Sequence, residues 1–374
     1  MADGPGYAGF FREAVGAREA ARARRFETHD IVERVGVISP KRLYINDHPV
    51  GNPIAAFNPS LAVVEGEARL YVRVILGYYK YVSAVAEVRV PLDDVESGDV
   101  NLNYYAGKLV AYPSMGYDFW GAEDPRVYTL PGAPGLFMTY TGRTRYYFEP
   151  PPGRPRTIPV TAYTPDYRSW VKIGVTVLPE GLRRHVVSDK NAFFVDTGRG
   201  LYFFHRLHMD DERFYLVASR VDPGELEKAA RAAKEAGGPA EIVVRDTTIV
   251  VHPARFELKN GWATPPLRLG DGKLLAFIHG VDRELTAYRL YAALLEDAGE
   301  EGLRVIAVTP RYIMEPRTLY EIYGDRSYTV FPCGAWRLDR RRLLVSYGAA
   351  DYMTGLGVIN LDELMAELDR GRLD

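Results

Sequence analysis

The sequence predicts an all-β protein, a five-bladed β-propeller with short helices at its periphery. Three observations carry that expectation: a β-rich unit recurs five times, each copy follows a strand-and-turn element, and a third strand usually comes after it. The copies are RLYVRV (69–74), GLFMTYTG (135–142), GLYFFHR (200–206), KLLAFIHG (273–280) and RLLVSYG (342–348), and their leucines Leu70, Leu136, Leu201, Leu274 and Leu343 lie 66, 65, 73 and 69 residues apart. That period exceeds the roughly 40–50 residues of the commonest propeller blades, which leaves room for inserted loops, and it is longer than the repeat of a parallel β-helix. Units of three or four strands that cannot bury a face alone fit radial repetition around an axis.

In chain order, residues 1–50 read as an N-terminal helix and extension, with the helix over 10–25. The propeller is expected over 51–361. Its first strands are read from FNPSLAVVEGEA, AEDPRVYTLPGAP, DKNAFFVDTGR, ATPPLRLGDG and YTVFPCGAWRLDR, and its third strands from YVSAVAEVRV, FYLVASRV and YRLYAALLE. A helical insertion is expected over 222–236, with Asp222 and Pro223 as N-cap and first helical residue. Residues 360–370 read as a last short helix, with 362–374 as the C-terminal segment, and the proline-rich 150–159 reads as a stiff surface loop. The spare helices suit surface or self-association contacts.

The chain has 374 residues, 47% hydrophobic and 26% charged, with a net charge of −2, so neither a nucleic-acid partner nor a membrane surface is expected. No run is long enough to cross a membrane, and the N-terminus is too charged for a secretory signal. The single cysteine, Cys333, excludes an internal disulfide framework, and a cytoplasmic protein is the simplest expectation. Glutamine is absent and arginine far outnumbers lysine, a thermophile signature that a GC-rich genome would also produce.

One segment, WGAEDPR (120–126), sets two adjacent carboxylates, Glu123 and Asp124, beside a Pro-Arg pair. Pro125 cannot donate to a ladder, which puts the carboxylates at a strand edge. Alone, the segment is either a salt-bridged turn or the acid of an active site. In a propeller the inner strands gather at the axis, so the polar starts of the first strands (Asn58, Asp124, Lys190, Thr264, Ser327) should meet the polar ends of the second (Arg73, Thr141 with Arg143, His205 with Arg206, His279, Tyr347). One carboxylate among arginines, a lysine and histidines is what a phosphate wants. There is no P-loop, no Gly-x-Ser-x-Gly elbow and no convincing dinucleotide motif; GDGKLLAF and TGRGLYF read as hairpin turns. His205 and His208 would point to opposite faces of a strand, so no metal site is expected there.

These motifs together resemble glycoside hydrolase family 130, the β-mannoside phosphorylases. The matching stretches are FNPS (57–60), LYVR ending at Arg73, GAEDPR (121–126), TYTGR ending at Arg143, DKNAFFV (189–195), FFHR (203–206), IHGV (278–281) and YGAAD (347–351). The resemblance implies reversible, inverting phosphorolysis of a β-mannoside to α-mannose 1-phosphate and a shortened acceptor, with inorganic phosphate as co-substrate and no cofactor. It makes Asp124 the proton donor, acting through a mannose hydroxyl. Arg73, Arg143, Lys190 and His279 would bind phosphate, and Asn58, Glu123, His205, Arg206, Tyr347 and Asp351 would surround the sugar. A cationic cradle for an anionic nucleophile replaces the second carboxylate of an ordinary inverting glycosidase. Around NGWATPPLRL (260–269) the sequence departs from the family's usual glycine-rich segment, so Trp262 and Thr264 are expected to border the acceptor site. A hydrolase of the same fold, using Glu321 or Glu123 as base, and a non-catalytic carbohydrate-binding propeller are the alternatives.

Overall fold

The computed structural model describes residues 6–373. Five antiparallel meanders dominate it. The first comprises Ala55–Val64, Glu67–Ile75, Ser83–Pro91 and Tyr105–Ala111; the second comprises Gly121–Tyr128, Leu136–Arg143, Thr157–Thr164 and Val171–Val177. The third runs through Val186–Asp196, Leu201–Met209, Phe214–Val221 and Arg245–Ile249, and the fourth through Glu257–Trp262, Lys273–Asp282, Tyr288–Asp297 and Leu303–Val308. The fifth takes Val330–Arg337, Arg342–Ala349 and Met353–Asn360 from the end of the chain, and its fourth strand, Val32–Ile38, from near the beginning. That strand falls in the segment read from sequence as an extension; its short run gives no repeat signal.

The five repeated leucines all lie in second strands and are buried, as the repeat requires. Tight turns follow local chemistry: Glu65-Gly66 and Asp271-Gly272 both adopt left-handed backbone, the pair of positive φ that a two-residue hairpin needs. The first strands pair on one side with their second strands and lie beside one another, the first meander's against those of the second and fifth, and the third's against the second's and fourth's. Aliphatic and aromatic side chains fill the wedges between meanders, with Phe193, Phe203, Phe204 and Trp262 among the largest fully buried.

Several expectations shift. The fourth meander begins at Glu257–Trp262 rather than in ATPPLRL; Pro265 and Pro266 break the strand, and Leu267–Gly270 pairs separately with the same neighbour. The expected helix over 10–25 is only Ala17–Ala23, because Gly16 sits at φ 84 and Arg12–Glu13 pairs with the third meander instead. The insertion helix, Gly224–Ala236, starts one residue late, with Pro223 at the N-cap, while Leu361–Asp369 is capped by the Asn360 side chain. The proline-rich stretch is not all loop: Thr157–Thr164 is a strand in which Pro159 faces Thr141. Among the described residues no helix is long and apolar enough to cross a membrane.

Arg24, just past the first helix, ties the N-terminal segment to the fourth meander. Its guanidinium is buried against Glu257 at 2.6 Å and stacks 3.3 Å over the Tyr291 ring, while Glu257 also accepts from Tyr312 Oη at 2.7 Å and the Ala254 amide at 2.9 Å. Removing one partner strands a buried charge. Arg24→Ala should therefore cost on the order of 3–5 kcal/mol by denaturant unfolding, and adding Glu257→Ala should recover part of that loss.

Candidate active site

The cavity lies where the first strands meet, and all five contribute to its lining: Asn58 from the first meander, Glu123 and Asp124 from the second, Ser188, Lys190 and Asn191 from the third, Lys259 from the fourth and Phe331 from the fifth. Its volume is about 310 Å³. Three of these strands carry the same local device. The ladder registers skip between Phe57 and Ser60, Glu123 and Arg126, and Lys190 and Phe193, and within each skip one residue turns left-handed: Asn58 at φ 49, Asp124 at φ 49 and Asn191 at φ 55. Such a bulge re-aims a side chain, and Asn and Asp tolerate left-handed backbone best among residues with a Cβ. Two of the bulges continue with proline, whose missing amide costs nothing on the unpaired edge of the strand.

The bulges bring Asp124 onto Asn58 and Arg73. Asn58 Nδ2 donates to Asp124 Oδ1 at 2.8 Å and Arg73 Nη1 to the same oxygen at 3.0 Å, while Arg73 Nη2 donates to Glu123 Oε1 at 2.8 Å. Lys190 Nζ holds Glu123 Oε2 at 3.0 Å, and Arg143 Nε lies 3.6 Å from Glu123 Oε1. Behind them Arg126, fully buried, donates to the Asp124 carbonyl at 2.7 Å and to the Ala263 and Trp262 carbonyls at 3.1 and 3.2 Å. Gly348, in the YGAAD motif, leaves the space that Asn58 occupies; a Cβ there would collide with its side-chain oxygen.

Burial alone would raise both carboxyls. Arg73, Arg126, Lys190 and the Asn58 hydrogen bond outweigh it at Asp124 and bring that group down to about 2, and Arg73 and Lys190 likewise lower Glu123. Asp351, in a left-handed turn at φ 50, behaves oppositely: burial pushes it up to about 6, with Arg73 opposing and Asp124 adding to the rise.

The remaining residues expected from sequence are sorted by depth. Arg206 lines the cavity. Arg143 is beside it, stacked 3.9 Å over Tyr147 and bonded to the Lys80 and Tyr81 carbonyls. His279 does not present a charge: it is buried between Tyr288 and Phe331, and burial with Arg206 and Arg126 nearby holds it well below the usual range. His205 is buried behind the wall on Asp189 (2.8 Å) and Ser219 (2.9 Å), and His208 pairs with Glu212 away from it. Tyr347 is outside the cavity, donating to Glu321 at 2.8 Å; Glu321 is itself held by Arg34 and the Arg317 and Thr318 amides, which removes it as a base. Thr264 and Trp262 do not border the cavity. Both are buried, Trp262 donating to the Val217 carbonyl at 3.0 Å, because the strand break after Ala263 turns this segment into the core. Ser327 is exposed, and Thr329 takes the expected place. Cys333 is buried, its thiol pushed up to about 12. No group of three or more His, Cys, Asp or Glu able to hold a metal occurs among the described residues.

Sequence reasoning did not single out Asn191, Lys259, Tyr288, Arg326 or Phe331. Asn191 was legible by aligning the KNA of the third unit with FNP and EDP.

The centre of this all-β scaffold thus holds a carboxylate pair ringed by cations. The chain belongs to glycoside hydrolase family 130, whose family model, described as β-1,4-mannooligosaccharide phosphorylase, matches residues 22–370. It is thus a mannoside phosphorylase family member. A β-1,2-mannobiose phosphorylase of Thermoanaerobacter sp. (strain X514) is 40% identical over 106 residues, 28% of this chain; the chain spans about a third (33%) of that relative's length. The solved β-1,2-mannobiose phosphorylase of Listeria innocua shares the fold at a TM-score of 0.67 and 18% identity, over 90% of this chain and 99% of that one. A mannose phosphorylase of Leishmania mexicana, solved with a phosphate ion, aligns at 0.50 and 15% identity over 88% and 89% of the two chains. A further structure, at 0.56 and 16% identity over 88% and 95%, comes from work reporting that the family also contains hydrolases targeting β-1,2-mannosidic linkages.

Because Asp351 holds its proton more tightly folded than unfolded, its ionisation destabilises the fold as pH rises from its ordinary 3.8 to about 6, and the deficit persists above. Asp351→Asn, which keeps the left-handed turn, should raise thermal stability above pH 6 by less than about 3 kcal/mol and leave it unchanged near pH 4.

Proposed function

We propose that the protein is a five-bladed propeller enzyme that carries out inverting phosphorolysis of a β-mannobiose or short β-mannooligosaccharide. Phosphate attacks the anomeric carbon, releasing α-mannose 1-phosphate and the shortened acceptor. The meeting of five first strands around one cavity supports the propeller. The observation that carries the activity is the clustering of Arg73, Arg143 and Lys190 on Glu123 and Asp124. These cations receive the phosphate, and Asp124 delivers the proton to the leaving oxygen through a mannose hydroxyl. Asn58, Arg206 and Asp351 surround the sugar. The single buried cysteine suits a cytoplasmic setting.

An acid must be protonated, and Asp124 in this arrangement is held ionised at about 2. The counter-charge responsible is the one phosphate needs. When phosphate engages Arg73 and Lys190, Asp124 loses attraction and gains a negative neighbour, and both changes raise its proton affinity. Nucleophile binding and arming of the acid are thereby linked. A hydrolase would need a free carboxylate to activate water. Both Glu123 oxygens are engaged, by Arg73 and by Lys190, and Glu321 is sequestered, which disfavours that alternative.

On the acceptor side a partly exposed aromatic collar borders Arg143, with Phe119 and Phe148 exposed and Trp120 and Tyr147 half-buried. Tyr147 lies 5.0 Å from Phe148, Phe148 5.5 Å from Trp120 and Trp120 5.0 Å from Phe119, ring centre to ring centre. These faces offer stacking surfaces to the second and later sugars.

Asp124→Asn should lower turnover of β-mannobiose by several orders of magnitude, on the scale of lost acid catalysis plus lost binding, with the fold intact by circular dichroism. Arg73→Ala should mainly raise the apparent KM for phosphate. Product release at an equal rate with and without phosphate would defeat the phosphorylase reading.

A further inference from the structure

Residues 144–156, which lead from Leu136–Arg143 to Thr157–Thr164 and contain most of the proline-rich stretch, separate two cavities. Their backbone is pinned at its base. The Thr144 amide donates to the Arg156 carbonyl at 3.0 Å, Thr144 Oγ1 to the Pro155 carbonyl at 2.8 Å and the Arg156 amide to the Val187 carbonyl at 2.8 Å. Tyr147 lines the central cavity, whereas Thr144, Arg145 and Tyr146 line a second one of about 350 Å³. That volume falls within the range of small-molecule sites, about 300–1,000 Å³.

Buried Ile158 and Val177 give the second cavity an apolar wall, and Tyr117 and Tyr146 add two aromatic rings. Three arginines join them: Arg145 and Arg154 from the segment itself and Arg183 from the short helix Glu180–Arg183. Among the described residues neither Arg145 nor Arg154 forms an ion pair or a side-chain hydrogen bond. Arg154 instead stands over the Tyr146 ring, 5.9 Å from its centre. Gly116 makes room for the Arg145 guanidinium, since a Cβ there would come within 2.7 Å of Arg145 Nη2. Arg183 donates from Nη2 to Glu241 at 2.5 Å, and its Nε is buried without a partner.

Three arginines against one glutamate leave two positive charges around this cavity. A phosphate monoester carries about −1.5 to −2 at neutral pH, and its oxygens accept paired N–H bonds from guanidinium forks. A carboxylate would leave one of those charges unmatched. The tyrosine rings and the aliphatic wall suit a ring that carries the phosphate. We propose that this cavity is an accessory site, distinct from the central one, for a phosphorylated ring compound. Its occupant is a hexose phosphate or a nucleoside monophosphate, which share the phosphate ester and an apolar ring face. Because Tyr146 and Tyr147 are consecutive, a ligand held here braces the wall of the central cavity. The assignment does not rest on the phosphorylase reading.

The test is calorimetry on the full chain and its Arg145→Met/Arg154→Met variant, with mannose 6-phosphate, AMP and inorganic phosphate as probes. Neither substituted residue lines the central cavity, so binding there is common to both proteins. The variant should lose affinity for mannose 6-phosphate or AMP by about tenfold or more, given the worth of charge-assisted bonds. The probe that the wild type holds more tightly identifies the source. Tyr146→Ala should weaken that probe and leave inorganic phosphate unchanged; an equal loss of both would overturn the assignment to a phosphorylated ring. Should the double variant not fold by circular dichroism, Arg154→Met alone takes its place. Unchanged binding of both ring compounds in a folded variant, or binding of neither by the wild type, would show that the cavity is not such a site. The measurement needs no turnover, so it stands whether or not phosphorolysis is observed.

Discussion

Two consecutive carboxylates, Glu123 and Asp124, are buried on a single guanidinium, and much of the central architecture follows from keeping them there. Side chains adjacent on a strand point to opposite faces. The left-handed bulge at Asp124 brings the second carboxylate round to the side of the first. Buried like charges so close together would drive one another to protonate. Arg73 spans both, and Arg126, Lys190 and Asn58 complete the compensation, so both groups stay ionised. Arg73 comes from the second strand of one meander and the carboxylates from the first strand of the next. The ion pairs therefore also tie neighbouring units together at the point where their strands have no ladder partner.

The same unpaired strand edges serve the chemistry. Backbone that need not pair can bulge, and three successive first strands use that freedom at equivalent places, with Asn58, Asp124 and Asn191. Short polar residues on rigid strands give a site whose position is fixed by the sheets rather than by loops. The second strands supply the longer side chains, Arg73, Arg143 and Arg206, which reach in from the neighbouring row. Depth then decides roles. Residues of one repeat position can face the cavity, as Arg206 does, or stay sealed behind it, as His279 does between Tyr288 and Phe331.

The five-fold recurrence and its buried leucines were legible because hydrophobic spacing survives in a single sequence, and so was the convergence of Asn58, Arg73, Asp124 and Lys190 from equivalent positions of the repeat. What failed to be legible was set by longer-range packing. Pro265 and Pro266 looked like the opening of a strand and instead mark its break, which hid Lys259 in the true first strand two turns of the pleat earlier. Arg326 lies in a loop with no period to betray it. The histidines were read by residue type as cations, whereas desolvation, invisible without neighbours, keeps His279 neutral. Tyr347 matched a motif and yet faces Glu321, because alternation along its strand sends it to the other side.

The strand Val32–Ile38 pairs with Met353–Asn360, near the opposite end of the chain. During synthesis it therefore leaves the ribosome long before its partner does. Until that partner emerges, Val32–Ile38 has an unsatisfied edge, the kind of surface that invites pairing with other chains. Pairing the two must also close the long loop between Ile38 and Met353, which places that step late and makes it slow. Once made, the contact binds the first and fifth meanders' flanking segments into one cooperative unit.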